Sequence, residues 1–172
     1  SILTTLDPGA QALAEAAVTT SLATVDKNKE VEVAMVLTRA KDGEILALIG
    51  GRDSRSFGFN RAMKARRPVG SLLKPFVYLL ALSKPDRYSL ASLISDGPVS
   101  LKLSTGKTWS PKNYDRKSHG TVPLVDALAR SYNLATARVG LDVGVQSLAR
   151  LIDSLGVPTP KDPQPSMILG SI

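Results

Sequence analysis

The sequence of 172 residues has no cysteine, one histidine and few aromatic residues, and each scarcity closes off a class of function. Without cysteine there is no thiol nucleophile, thiolate metal ligand or disulfide, although the cellular compartment stays open. With His119 as the single histidine, neither a histidine-rich metal site nor a Ser-His-Asp triad fits, and no metal or cofactor is expected. His119 lies in Lys117-Ser118-His119-Gly120, a turn-like segment, and is expected as a solvated loop residue. Aromatic residues make up 5% of the chain, too few for a base-stacking platform, so nucleic acid is not an expected partner. No apolar run approaches the 18 or so residues that span a bilayer, and residue 1 opens no signal peptide. Any anchor or export signal of the parent protein is expected outside this chain.

What is present suits a soluble globular chain. Hydrophobic residues make up 43% and charged residues 22%, enough apolar content for a core. The net charge of +7 favours anionic partners, acidic cell-wall polymers and phospholipid headgroups among them. The basic residues are scattered apart from the stretch Arg61–Arg67.

Local signals divide the chain into elements. Asp7-Pro8 opens a helix, with Asp as N-cap and Pro at the first helical position. Ala10, Leu13, Ala14, Ala17, Val18, Leu22 and Val25 form its apolar stripe, and Lys27-Asn28-Lys29-Glu30 breaks it. Val31, Val33, Met35 and Leu37 begin a strand whose apolar run predicts burial on both faces. Asp42-Gly43 turns the chain into a return strand, Glu44 to Ile49, before Gly50-Gly51. The helix is expected to pack against this antiparallel hairpin. Arg52 to Arg67 reads as an exposed basic excursion. Ser71 to Leu82 is a buried core helix, and Pro85 to Gly120 is turn-rich with a short helix over Leu90–Ile94. Helices follow at Pro123–Arg130, Leu134–Val143 and Val145–Leu155, the last closed by Gly156 and Pro158.

Two short motifs carry chemistry. In Ser71-Leu72-Leu73-Lys74, a hydroxyl and an amine three residues apart share one helix face. Amides at a helix N-terminus favour developing negative charge, and a lysine in an apolar setting loses its proton more easily. Pro75 cannot donate to the Ser71 carbonyl, so the first turn is expected to be irregular. With 18 serines and 11 lysines a Ser-x-x-Lys match arises about once by chance, and Ser104-Thr105-Gly106-Lys107 is such a second match. It sits in a polar turn with no buried helix behind it. Gly106-Lys107-Thr108 mimics the end of a phosphate-binding loop, but Leu101 stands where that loop needs glycine. The second motif, Ser131-Tyr132-Asn133, follows sixty residues after Ser71 at a junction of two helices. Ser131 and Asn133 either project into one cleft or cap helices; the ordered pair of motifs favours the cleft.

Ser71-x-x-Lys74 followed by Ser131-x-Asn133 resembles the penicillin-binding protein and serine β-lactamase superfamily. Thr5-Leu6-Asp7 with Gln11, Gly43 to Ala47 with Gly50-Gly51, and Asn60-Arg61-Ala62 narrow the likeness. So do Arg66 to Pro75 and Trp109-Ser110-Pro111-Lys112-Asn113. Together they are similar to the transpeptidase domain of bifunctional, class A penicillin-binding proteins, nearest the Gram-negative 1b branch, from about Thr4 to the end. The resemblance implies an α/β (α+β) fold, a helical cluster against an antiparallel sheet. Residues 1–172 are then the front portion of one transpeptidase domain. It implies Ser71 as the acylated nucleophile, Lys74 as its base and Ser131 as a proton shuttle. Asn133, Gly70, Trp109 and Tyr132 would bind substrate. The implied partners are peptidoglycan stem peptides and β-lactams, with lipoprotein activators and divisome or elongasome proteins reached through regions outside the chain. The implied location is the periplasmic face of the bacterial inner membrane.

The family's third motif, Lys-Thr/Ser-Gly on a strand beyond Asn133, is absent. Its strand and later ones are expected past residue 172, which would leave the hairpin with an unpaired edge and the isolated chain with little or no turnover. A class A β-lactamase is the rival enzyme, but no glutamate follows Glu44 to activate a deacylating water. A non-catalytic β-lactam sensor is the rival of another class.

Overall fold

The computed structural model describes residues 2–26, 30–53 and 58–171, which form two compact units, residues 1–67 and 68–172. The helix break at Lys27–Lys29 and part of the basic excursion, residues 54–57, lie outside the described residues.

In the first unit, α1 (Pro8–Val25) starts where its cap requires. The Asp7 carboxylate accepts the Ala10 amide, and Pro8 occupies the first turn. The buried stripe is narrower than the sequence suggests. Ala14 and Val18 are buried with Ala10 and Leu22 beside them, whereas Leu13, Ala17 and Val25 face outward. The contact is an i, i+4 row, so residues one position off that row lie beyond the sheet's reach. The row packs on Ala47 and Ile49 of β2 (Ile45–Ile49), which pairs antiparallel with β1 (Met35–Thr38). The turn between them holds Gly43 at φ +77, a conformation glycine adopts without strain. The first strand is shorter than expected, and Met35, Val36 and Leu37 are exposed rather than buried on both faces. Among the described residues β1 pairs only with β2, and its apolar run stays exposed.

The outer edge of β2 is not bare. Thr5 Oγ1 donates to the Ile45 carbonyl, Asp7 N to the Leu46 carbonyl, and the Gln11 amide bonds both N and O of Leu48. The Thr5–Gln11 segment thereby satisfies the outer edge of β2, whereas the far edge of β1 has no strand beside it among the described residues, the unpaired hairpin edge expected from the sequence. The excursion after it is partly ordered: α2 (Arg61–Lys64) is capped by the Asn60 side chain, and Arg52 pairs with Asp26 at 2.7 Å.

The second unit is helical around a single apolar cluster. A 3-10 turn (Gly70–Leu73) runs into α3 (Lys74–Leu82), and Lys74 N donates to the Ser71 carbonyl three residues back. Pro75 has no N–H to make the longer α-type bond to that carbonyl, which accounts for the irregular first turn. Leu73, Val77, Tyr78 and Ala81 face inward, while Leu72 and Leu79 are exposed. They meet Leu124 and Ala127 of α4 (Leu124–Ala129), Ala135, Val139 and Val143 of α5 (Asn133–Val143), and Leu148 and Ile152 of α6 (Val145–Ser154). Met167 and Ile168, from a 3-10 turn (Pro165–Leu169), close the cluster.

The segment Leu90–Ile94 is not a helix. β3 (Leu93–Ser95) pairs antiparallel with β6 (Thr121–Pro123), while β4 (Leu101–Lys102) and β5 (Thr108–Trp109) form a separate hairpin. Three residues carry too little pattern to show a strand whose partner is 26 or more positions away. Among the described residues no helix is long and apolar enough to cross a membrane.

Candidate active site

Lys74 begins α3 with a side chain 1% exposed, so its four-carbon stem is packed and its ammonium must find partners inside. Nζ lies 2.9 Å from Ser131 Oγ, 2.7 Å from the Ser131 carbonyl and 2.6 Å from Asn133 Oδ1. Three N–H donors thus meet three oxygens, two from Ser131 in the loop after α4 and one from Asn133, the first residue of α5. Burial pushes the Lys74 ammonium down to about 8, against the opposing pull of the Asp96 charge.

Ser71 stands one 3-10 turn before Lys74, exposed to solvent, and its hydroxyl is not among the lysine's partners. Gly70, immediately before it, has φ +57, and its amide donates to the Gly170 carbonyl at 3.2 Å. Gly170 is at φ +87, and a Cβ there would stand 2.0 Å from the Gly70 carbonyl oxygen. Only a residue without a side chain lets these two backbones meet. The turn carrying Ser71 is therefore held from behind by a segment a hundred residues later.

The loop Ser131-Tyr132-Asn133 does not cap α5 with its own side chains, since neither Ser131 nor Asn133 bonds a helix amide. Caps arrive from elsewhere. Asn113 Oδ1 accepts the amides of Asn133 and Leu134 at 2.7 and 3.2 Å, and Asp96 Oδ1 accepts that of Ala135 at 3.0 Å. Ser131 is left-handed at φ +56, which aims its hydroxyl and carbonyl at Lys74. Thr136 Oγ1 donates to the Tyr132 carbonyl at 2.6 Å, so the phenol of Tyr78, 2.9 Å from that same oxygen, must donate to it. Asn133 Nδ2 donates to the Lys112 carbonyl, tying the Trp109–Asn113 segment to the loop.

Asp96 is fully buried and accepts from Asn113 Nδ2, from the His119 amide and from the Ala135 amide, with His119 Nδ1 at 2.7 Å. Three of these contacts fall on Oδ2 and one on Oδ1, and no buried side-chain nitrogen or oxygen among the described residues lacks a partner. His119 is therefore not the solvated loop residue expected. It is half-buried, its Nε2 lies 3.0 Å from Asp115, and its ring stacks on Tyr132 with centroids 4.0 Å apart. The Asp96 carboxylate, burial notwithstanding, raises its proton affinity above the ordinary imidazole value, and Asp115 adds to this.

Of the residues picked from sequence, the structure gathers Lys74, Ser131 and Asn133, with Tyr132 beside them and Ser71 and Gly70 on the preceding turn. Trp109 sits in β5, half-buried against the apolar cluster and without a bond to Lys74. Sequence reasoning missed Asp96 and the role of Asn113. Ser95-Asp96-Gly97-Pro98 reads as an ordinary turn, and no short-range pattern distinguishes its aspartate. Arg138 of α5 holds that turn through the carbonyls of Ser95, Gly97 and Pro98. The decoy Ser104–Lys107 is exposed in the turn between β4 and β5.

Known proteins resemble this chain in sequence and backbone. A family model described as the penicillin binding protein transpeptidase domain matches residues 33–164. Penicillin-binding protein 1B of Vibrio cholerae is 42% identical over 99% of this chain and 22% of its own length. Penicillin-binding protein 1B of Escherichia coli is 41% identical over 99% of this chain and 21% of its own. The chain thus spans about a fifth of the length of these curated relatives. The structure of PonA1 from Mycobacterium tuberculosis in complex with penicillin V superposes with a TM-score of 0.75 at 25% identity, over 99% of this chain and 46% of that one. A model matched across most of the sequence, relatives above 40% identity and a shared backbone agree: the chain belongs to the penicillin-binding protein transpeptidase family.

Proposed function

We propose that this chain supplies the acylation machinery of a peptidoglycan D,D-transpeptidase, with Ser71 as nucleophile. Ser71 Oγ attacks the carbonyl carbon of the D-Ala-D-Ala bond of a stem pentapeptide, and Lys74 takes the hydroxyl proton. The C–N bond breaks, the proton returns to the leaving amine through Ser131, and D-Ala departs from an acyl-serine. An amine of a neighbouring stem peptide then attacks the ester. It forms the cross-linking amide and restores the Ser71 hydroxyl. Asn133 holds the donor's amide, and Gly70, Trp109 and Tyr132 line its path. β-Lactams enter as donor mimics and remain on Ser71. The relatives' class carries the reading further for the whole protein. There residues 1–172 are the front of one transpeptidase domain, with a glycosyltransferase activity, an anchor in the inner membrane facing the periplasm, and activator and divisome or elongasome contacts.

One observation supports this reading above the others: a buried Lys74 ammonium, pushed down to about 8, bonded to both Ser131 Oγ and Asn133 Oδ1. Burial lowers the proton affinity of any lysine; what favours a base here is that this lowered ammonium lies 2.9 Å from Ser131 Oγ and one turn after Ser71. The test is covalent labelling of the complete protein by a fluorescent penicillin, read by intact mass, beside Ser71→Ala and Ser104→Ala. The label is expected to vanish in Ser71→Ala alone. Label that survives Ser71→Ala, or that never forms on the complete wild-type protein, overturns the proposal.

A further inference from the structure

Both nitrogens of the His119 ring face carboxylates. Nδ1 is 2.7 Å from Asp96 Oδ2, and Nε2 is 3.0 Å from Asp115 Oδ2. A neutral imidazole has one N–H and can serve only one of them; the imidazolium serves both. Asn113 Nδ2 also lies 3.4 Å from Nδ1, but its protons point to Asp96 and to the Lys117 carbonyl, so it does not compete. The ring lies flat on Tyr132, with 12° between the planes, and Tyr132 is the middle residue of the loop bearing Ser131 and Asn133. Asp96 meanwhile reaches the start of α5 directly through the Ala135 amide, and indirectly through Asn113, which caps Asn133. One residue thus touches the loop on its outer face and shares the buried carboxylate that fixes its inner end.

We propose that His119, as the imidazolium bridging Asp96 and Asp115 and stacked on Tyr132, is a positioning residue that fixes the Ser131–Asn133 loop against Lys74. The proposal rests on the acyl-transfer reading of that loop. The titratable groups facing His119 are Asp96 from the turn after β3, Asp115 from its own loop and Tyr132 from the α4–α5 loop. Lys117 acts on Asp115, and Asp96 in turn pulls on the Lys74 ammonium. Both carboxylates favour the charged ring, so its proton affinity stands above the ordinary value of about 6.5. The sign follows: the clamp is fully present below about 6.5 and is lost as pH rises through the higher folded value. Lys74 works in the opposite sense, gaining activity as it sheds its proton.

The experiment compares the rate of Ser71 acylation by a fluorescent penicillin from pH 5.5 to 9 in the complete wild-type protein, His119→Phe and Asp115→Asn. Phenylalanine keeps the stack and loses both ionic bonds. His119→Phe is expected to acylate about tenfold more slowly than wild type at low pH, the scale of a small misplacement. Its rate should approach the wild-type rate at high pH, where the native ring has itself lost the proton. Asp115→Asn should begin to lose the clamp at lower pH than wild type does. A rate ratio that stays constant across the pH range reduces His119 to a structural role and overturns the proposal, as does a ratio of one throughout. The ring's titration, followed by NMR, judges the clamp without any acylation. A His119 that titrates at an ordinary value and does not move in Asp115→Asn overturns it, whereas absence of label on wild type sinks the acyl-transfer reading instead.

Discussion

Replacing Lys74 with methionine removes the buried charge while keeping an unbranched stem of similar length. The wild-type ammonium stands at about 8, against an ordinary 10.5. At about 1.4 kcal/mol per unit, holding it charged in the folded protein costs about 3 kcal/mol at pH 7. Between about pH 8 and 10.5 the unfolded chain keeps this proton and the folded one does not, so wild-type stability rises with pH across that window. Lys74→Met has no such group. It also leaves the Ser131 carbonyl, Ser131 Oγ and Asn133 Oδ1 without their donor, but none of those atoms titrates there, so that loss is the same at every pH. Urea denaturation of both chains at pH 7 and at pH 10.5 therefore isolates the lysine. The difference, wild type minus variant, should grow by about 3 kcal/mol in favour of wild type.

The same shift decides whether the lysine can be a base. At pH 7.5 a group at about 8 is about a quarter unprotonated, while one at 10.5 is unprotonated in about one molecule in a thousand. A stability difference that stays flat between the two pH values would put Lys74 at its ordinary proton affinity. Its role in activating Ser71 at neutral pH would then have no physical support.

Asn113→Ala leaves the amides of Asn133 and Leu134 without an acceptor at the start of α5 and should destabilise the chain by about 2–3 kcal/mol. A loss under about 0.5 kcal/mol by urea denaturation would show that the cap is replaceable. Gly170→Ala adds a Cβ to a backbone at φ +87 and brings it within 2.0 Å of the Gly70 carbonyl oxygen. Backbone cannot step aside as a side chain can, so a loss of at least about 2 kcal/mol is expected, with slower labelling at Ser71. Wild-type stability and labelling in this variant would show that the two glycines do not support each other.

How far the sequence could be read depended on how local each determinant was. α1 was legible because Asp7 and Pro8 sit at its start and its apolar row repeats within it. The hairpin turn was legible because Gly43 announces its own conformation. The irregular turn before α3 followed from Pro75 alone. Ser71, Lys74, Ser131 and Asn133 stood out because two short motifs came in order, each at a helix end. What stayed hidden was non-local. β3 exists only through pairing with Thr121–Pro123, and the outward face of β1 depends on what covers it. His119 is made by Asp96, 23 residues earlier, and by Tyr132, 13 later. A turn-like tetrapeptide carries no trace of either.

The two motifs differ in what holds them. Ser71 and Lys74 lie on one short stretch, its first turn shaped by Pro75 and held from behind by the Gly70–Gly170 contact. The Ser131–Asn133 loop is not self-supporting. A non-glycine residue at φ +56 costs on the order of 1–3 kcal/mol and persists only when its surroundings over-determine it. Here they do so from four directions. Ser131 N is bound by Leu128, its carbonyl by Lys74, the Tyr132 carbonyl by Thr136 with Tyr78 behind it, and Asn133 N by Asn113. Asp96 joins the last of these to His119 on the ring of Tyr132. Lys74 is thus both a user of the loop and one of its supports. A change at Asn113, which touches neither Ser71 nor Lys74, should reach the nucleophile only through Ser131 and Asn133, whereas a change at Asp96 also removes its direct pull on the Lys74 ammonium. That ordering separates these supports from general stability: their loss must displace the loop before it unfolds the helices around it.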